Sequence, residues 1–163
     1  MARDGSNRRG SETVRLLKIV TNAAFFLFAL TPVAMPAQQA KTGEQVYATC
    51  TACHMADGAG MPGLFPPLAG SEWVTGRPEL PIAIVLHGMQ GEVTVKGMKY
   101  SGVMTPWAAM YSDAEIANVV TYIRAKFGNS ASAVTSAQVS AVRAATKERK
   151  TMWTATELRT AFP

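Results

Sequence analysis

The stretch Ala48–Gly58, "ATCTACHMADG", decides how this chain folds. It holds both cysteines of the sequence, Cys50 and Cys53, and one of its two histidines, His54, directly behind them. Several chemistries use two thiols at this spacing. A disulfide between them would close a tiny loop, and the entropic gain of a cross-link grows with loop length, so it would be a poor staple. A thioredoxin-like redox pair belongs to a βαβ setting, whereas the surroundings here are helical and rich in Gly and Pro. A zinc site needs about four ligands. Only Cys50, Cys53, His54 and the distant His87 are on offer, and there is no second C-x-x-C.

The reading left is C-x-x-C-H, the attachment sequence of a c-type haem. At a helix end, thiols at this spacing project toward the two edges of a porphyrin, where each adds across a vinyl group to give a thioether. The adjacent imidazole then faces the iron. Haem held in this way fills the core and staples a small chain.

A low-spin electron carrier needs a sixth ligand, and a methionine raises the potential. Met104 is the candidate. It sits in "SGVMTPWAAM" (Ser101–Met110), an irregular loop closed by Pro106. Met110, nearer the next helix, is the runner-up. Met61 lies too close to His54 to cross the ring, and Met89 and Met98 flank a hairpin and read as packing. His87 lies on an apolar helix beside Gly88 and reads as a structural histidine. Pro66, in the rigid "FPPLAG", offers a carbonyl to the second N–H of His54, the contact that fixes a ligating ring. Trp73, Arg77 and Tyr100 are candidate donors to the haem propionates, each equally readable as core or surface.

Working outward, a first helix is expected over about Thr42–Ala52, with Gly43, Val46, Tyr47 and Cys50 on one side. The Gly/Pro-rich "HMADGAGMPGLFPPLAG" is a loop. A second helix begins near Pro78–Pro81, since prolines are tolerated in a first turn, and stops at Gly88. "EVTVKGMKY" reads as a small hairpin around Lys96-Gly97. The clearest helix is "SDAEIANVVTYIRAKFGN", with a Ser112/Glu115 capping box, an apolar stripe through Ile116, Val119, Val120, Ile123 and Phe127, and Gly128 as its C′ residue. Weaker helices are expected over Ser136–Thr146 and Thr154–Thr160.

Residues 1–37 have the three parts of a secretory signal: a charged start to Lys18, the apolar "IVTNAAFFLFAL", and small residues with prolines. Cleavage is expected after Ala34 or Ala37. The apolar run is short of the roughly 20 residues needed to span a bilayer, so the membrane is a partner only if the leader stays on. Arg8-Arg9 is followed by Gly10, Ser11 and Glu12, a weak match to a twin-arginine signal. The leader carries 5 basic and 2 acidic residues of a chain whose formal charge is +5, which leaves 11 against 9, or +2, for the remainder. That balance, without a basic stripe interleaved with aromatics, argues against nucleic acid as a partner. The organisation expected is a signal peptide over 1–37, a haem domain over 38–129 and a C-terminal extension over 130–163 that packs on or near it.

At this point the chain resembles a class I, mono-haem cytochrome c over about Thr42–Gly128. "CTACH" matches the attachment motif, with Cys50 and Cys53 as thioether positions and His54 as proximal ligand. "PPLAG" resembles the family's P-x-L-x-G, which makes Pro66 the carbonyl donor and Leu68 a haem contact. "VMTPW" resembles the methionine loop, with Met104 as distal iron ligand; Thr105 stands between Met104 and Pro106, where the family often has Met-Pro. Gly43 and Tyr47 with Val119 and Tyr122 resemble the crossing of the terminal helices. The resemblance implies an all-α cytochrome c fold around one covalent haem c, with a small hairpin before the methionine loop. The stretch Ser71–Met104 and the tail Val134–Phe162 resemble cytochrome c domains and subunits that take electrons from periplasmic dehydrogenases. The implied function is a periplasmic one-electron carrier and not an enzyme, with a dehydrogenase as donor and another cytochrome or a terminal oxidase as acceptor. The alternative is a haem enzyme or gas sensor with an open sixth iron position. The basic tail, with Arg143, Lys147, Arg149, Lys150 and Trp153, is either a docking element or a strap packed over the domain.

Overall fold

A computed structural model of the chain describes residues 39–163, so the expected leader lies outside the described residues. In chain order the elements are α1 (Gly43–Tyr47), α2 (Thr51–His54), α3 (Glu72–Thr75), α4 (Glu79–His87), β1 (Met89–Val95), β2 (Met98–Met104), α5 (Asp113–Ala125), α6 (Ser136–Ala145) and α7 (Ala155–Ala161). The architecture is helical with one antiparallel hairpin, and so is not purely all-α.

The first helix is shorter than expected. It breaks after Tyr47, and Cys50 becomes the N-cap of a separate turn, α2. Thr49 and Thr51 account for the break. The Thr51 hydroxyl donates to the Ala48 carbonyl at 2.9 Å, and the Thr49 hydroxyl is bound to the Tyr111 phenol at 2.7 Å. Such side-chain bonds compete with helical ones. The backbone N–H groups of Thr49 and Cys50 turn back to Val46 and Tyr47, in tight three-residue steps.

α1 crosses α5 closely because Gly43 has no side chain. A Cβ there would overlap the Asn118 carbonyl oxygen and lie 2.6 Å from Tyr122 Cβ. Tyr47 meets Tyr122 and Phe127 beside the crossing, with ring centroids 5.4 and 5.2 Å apart. Gly43→Ala is therefore expected to cost about 2 kcal/mol or more, the scale of overpacking between backbones that cannot part. Thermal unfolding of the variant against wild type measures it.

α5 has the expected Ser112/Glu115 capping box. Its end differs: Phe127, not Gly128, is the first left-handed residue, at φ 60. Packing overrides propensity there. The Phe127 ring lies against Gly58, where a Cβ would come within 2.5 Å of it. α4 runs as expected and ends at Gly88, at φ 74. The hairpin turns through Lys96 and Gly97, at φ 52 and 77, the left-handed pair that a tight two-residue hairpin loop demands. Met89 is buried as expected of a packing residue, but Met98 is 48% exposed and packs on little.

α3 was not legible: it is a single turn capped by the Ser71 hydroxyl. The buried Arg124 was also missed. Its guanidinium donates to the carbonyls of Val74 at 2.6 Å, Gly76 at 2.9 Å and Ser132 at 2.8 Å, tying α3 and the start of the tail to α5.

The tail packs on the rest. α6 lies against α4 and α5, with Val139 and Val142 buried. Arg143 donates to Asp113 and to the carbonyls of Ala108 and Tyr111. Arg149 stacks over the buried Trp153 ring, 3.5 Å from its centroid. Arg143, Arg149 and Trp153 thus serve internal contacts, while Lys147 and Lys150 stay exposed. Among the described residues, no helix is long and apolar enough to cross a membrane.

Candidate haem-binding site

The fold encloses a largely apolar cavity of about 260 Å³. α2 brings Cys50, Cys53 and His54 to its wall, the following loop brings Pro66 and Leu68, and the end of β2 brings Met104. All six candidate site residues therefore line one space. Met61 and Met110 do not line it, and they are 41% and 67% exposed. Met89, read from sequence as packing, lines the cavity as well as the core. The register explains this: Met89 pairs directly with Met104, and residues opposite one another in an antiparallel pair share a face.

His54 is held by one hydrogen bond, Nδ1 to the Pro66 carbonyl at 3.0 Å. A proline carbonyl can only accept, so the proton is on Nδ1 and the lone pair is on Nε2, which has no partner among the described residues. Burial pushes the imidazole below its usual range, against the opposing pull of the Pro66 bond. The ring is therefore neutral at neutral pH, the form in which histidine binds a metal. The Tyr47 phenol donates to the Met55 carbonyl at 2.7 Å and holds Met55 at φ 61, where the chain leaves α2. Burial, then the nearby Cys50, Tyr122 and Asp57, pushes that phenol up to about 12.

The two cysteines are free and half-buried. Burial, then the neighbouring Cys53, pushes the Cys50 thiol up to about 11, so it remains a thiol at neutral pH. Two free thiols, an imidazole with an available Nε2 and a thioether line one apolar cavity. This donor set fits a covalently attached haem.

The polar candidates separate. Tyr100 lines the cavity, and its hydroxyl has no partner among the described residues. Trp73 also lines it, but its indole N–H is spent on the Thr94 carbonyl at 2.9 Å. Arg77 is exposed and lies 3.5 Å from Glu79, away from the cavity. His87 is also elsewhere, 2.7 Å from the Thr146 hydroxyl. That hydroxyl gives its proton to the Val142 carbonyl, so His87 Nε2 donates to it. Burial, then Arg149 and Arg143, push the His87 imidazole below its usual range.

One supporting residue was invisible in the sequence. Asn129 is buried just past α5. Its amide donates to the carbonyls of Leu68 at 3.0 Å and Ile123 at 2.7 Å, and its oxygen accepts from the Gly70 N–H at 2.7 Å. It ties the loop that carries the Pro66 carbonyl to the end of α5.

With this geometry in hand, the comparisons agree on a class. The family model for cytochrome c matches residues 40–126, more than half of the chain. The chain belongs to the cytochrome c family, and its cofactor is covalently bound haem c. It is an electron-transfer cytochrome. It is 45% identical over 91 residues to a cytochrome c-552 of Thermus thermophilus, a match covering 53% of this chain and 69% of that protein. It is 37% identical over 97 residues to the cytochrome c subunit of an alcohol dehydrogenase (quinone) of Gluconacetobacter polyoxogenes, covering 58% of this chain and 20% of that subunit. It is 34% identical over 113 residues to the gluconate 2-dehydrogenase cytochrome c subunit of Pantoea cypripedii, covering 63% of this chain and 24% of that one. The matches thus span only about a quarter or less of these two dehydrogenase subunits.

Proposed function

We propose that this protein is an exported, periplasmic one-electron carrier. In this reading residues 1–37 direct export, 38–129 form the haem domain and 130–163 form its packed extension. Cys50 and Cys53 would form the thioethers, His54 and Met104 would hold the iron, and Leu68 would pack against the haem. The observation that carries the reading is a single apolar cavity lined by a neutral imidazole with its Nε2 lone pair available and by a thioether.

Bound haem supplies the redox centre, its iron alternating between Fe(II) and Fe(III). The chain's part would be to hold the iron with both His54 and Met104, which would leave no place for another ligand and little to reorganise. The Pro66 carbonyl fixes the His54 tautomer and ring plane. The apolar wall keeps water out and supports a high potential. Leu64 and Val103 line the cavity while 50% and 61% exposed, an apolar rim suited to brief encounters with a redox partner. A dehydrogenase as donor is supported by the kinship with dehydrogenase cytochrome subunits. The acceptor in this reading is another cytochrome or a terminal oxidase.

An optical redox titration tests the proposal. The expected result is a single one-electron curve at the same midpoint with and without carbon monoxide. The competing reading, an enzyme or sensor with an open sixth position, requires the midpoint to rise with carbon monoxide, because the gas would bind only Fe(II).

A further inference from the structure

The tail makes one contact that packing alone does not require. Trp153 adds a third strand position to the hairpin, bridging to Met89 on the edge of β1 away from β2. Its N–H donates to the Gly88 carbonyl at 3.1 Å, and its carbonyl accepts from the Gln90 N–H at 2.8 Å. Met89 is therefore flanked by Trp153 on one side and by Met104 on the other.

Gly88 carries this contact onward. Its Cα lies so close to the methionine loop that a Cβ would overlap the Met104 carbonyl and lie 3.0 Å from Pro106 N. The same helix end holds the loop further along, as Trp107 N–H donates to the Val85 carbonyl at 2.9 Å. The tail grips this helix end a second time through His87 and Thr146. Trp153 is itself pinned by the Arg149 stack and by Phe162, at 6.0 Å between ring centroids.

From these contacts we infer that the C-terminal extension is a positioning strap for the distal ligand: Trp153 holds Gly88 and β1, and these hold the Met104 loop against the cavity. The inference rests on Met104 being the sixth ligand. In a chain without the strap, Met104 leaves the iron more often, and small ligands enter through the open fraction.

The test uses the full haem-loaded chain. Trp153→Ala removes the anchor. Trp153→Phe keeps an aromatic anchor for the Arg149 stack and gives up the rest of the indole, whose N–H is buried without a partner. Val120→Ala, in the buried face of α5, loosens the fold outside the extension and away from the cavity wall. The readouts are the weak long-wavelength Met–Fe(III) band and carbon monoxide affinity of the reduced protein at neutral pH. Affinity for a ligand that needs an open site scales with the open fraction, so Trp153→Ala is expected to bind carbon monoxide about tenfold more tightly and to show a weakened band. Trp153→Phe and Val120→Ala keep both readouts near wild type. If Trp153→Ala does not take up haem, Leu158→Ala, which loosens α7 from the buried side, is judged by the same readouts.

A Trp153→Ala protein with an intact band and unchanged carbon monoxide affinity, its thermal stability lowered as in Val120→Ala, would overturn the inference. Met104→Ala separates the two claims. If it abolishes the band and Trp153→Ala does not touch it, only the strap is wrong. If Met104→Ala leaves the band in place, the ligand assignment is wrong and the strap falls with it.

Discussion

Met104→Ala is expected to lower the haem midpoint potential by more than about 0.1 V, a modest part of the ~0.8 V that axial ligands command. The thioether favours the reduced state, and alanine cannot replace it. The reduced variant should also bind carbon monoxide at neutral pH, and its oxidised form should turn high-spin. Optical titration of the purified variant reads all three. Met89→Ala is the necessary companion, because Met89 lines the same cavity. Met89 is 8% exposed and belongs to the core, so its loss should cost about 2–5 kcal/mol of stability through the cavity it leaves. Its potential should stay close to wild type.

Asn129→Leu is expected to have the next largest effect. The leucine fills a similar volume but leaves the Ile123 carbonyl and the Gly70 N–H without their partner, and leaves the Leu68 carbonyl with the Ser71 N–H alone. An orphaned buried group costs about 1–3 kcal/mol; the Ile123 carbonyl is buried and the Gly70 N–H is part-buried and can turn to water, so a loss of about 3 kcal/mol is expected in denaturant unfolding. The substitution should also act at the iron. The loop it frees carries the Pro66 carbonyl that orients His54, so the His54 ring N–H resonance should shift and broaden. A purely structural asparagine would change stability and leave that resonance alone.

The legibility of this chain follows the range of the forces involved. The Ser112/Glu115 box and the Lys96-Gly97 turn are local chemistry, and the structure has the start of α5 and the hairpin turn where that chemistry puts them; the C-x-x-C-H motif is local too, and its three side chains line one cavity, though on a turn separate from the expected helix. The end of α5 was misplaced by one residue because a non-local contact, Phe127 on Gly58, decides it. The break between α1 and α2 depends on Thr49 meeting Tyr111, 62 positions away. Met89 and Met104 look unrelated in the sequence until the hairpin register sets them side by side. Asn129 and Arg124 work through backbone carbonyls of distant loops, and a carbonyl leaves no mark on a sequence. The tail's composition gave its helices but not the Trp153 contact, which is made by backbone atoms.

Proton NMR of the reduced, haem-loaded protein tests directly whether the iron is held between His54 and Met104. A thioether fixed over the porphyrin face lies in its ring current, so one methionine methyl should appear far upfield. This resonance is expected to belong to Met104, vanishing in Met104→Ala and persisting in Met89→Ala. A spectrum with no upfield methionine, or one whose upfield methyl belongs to Met89 or Met110, would contradict it.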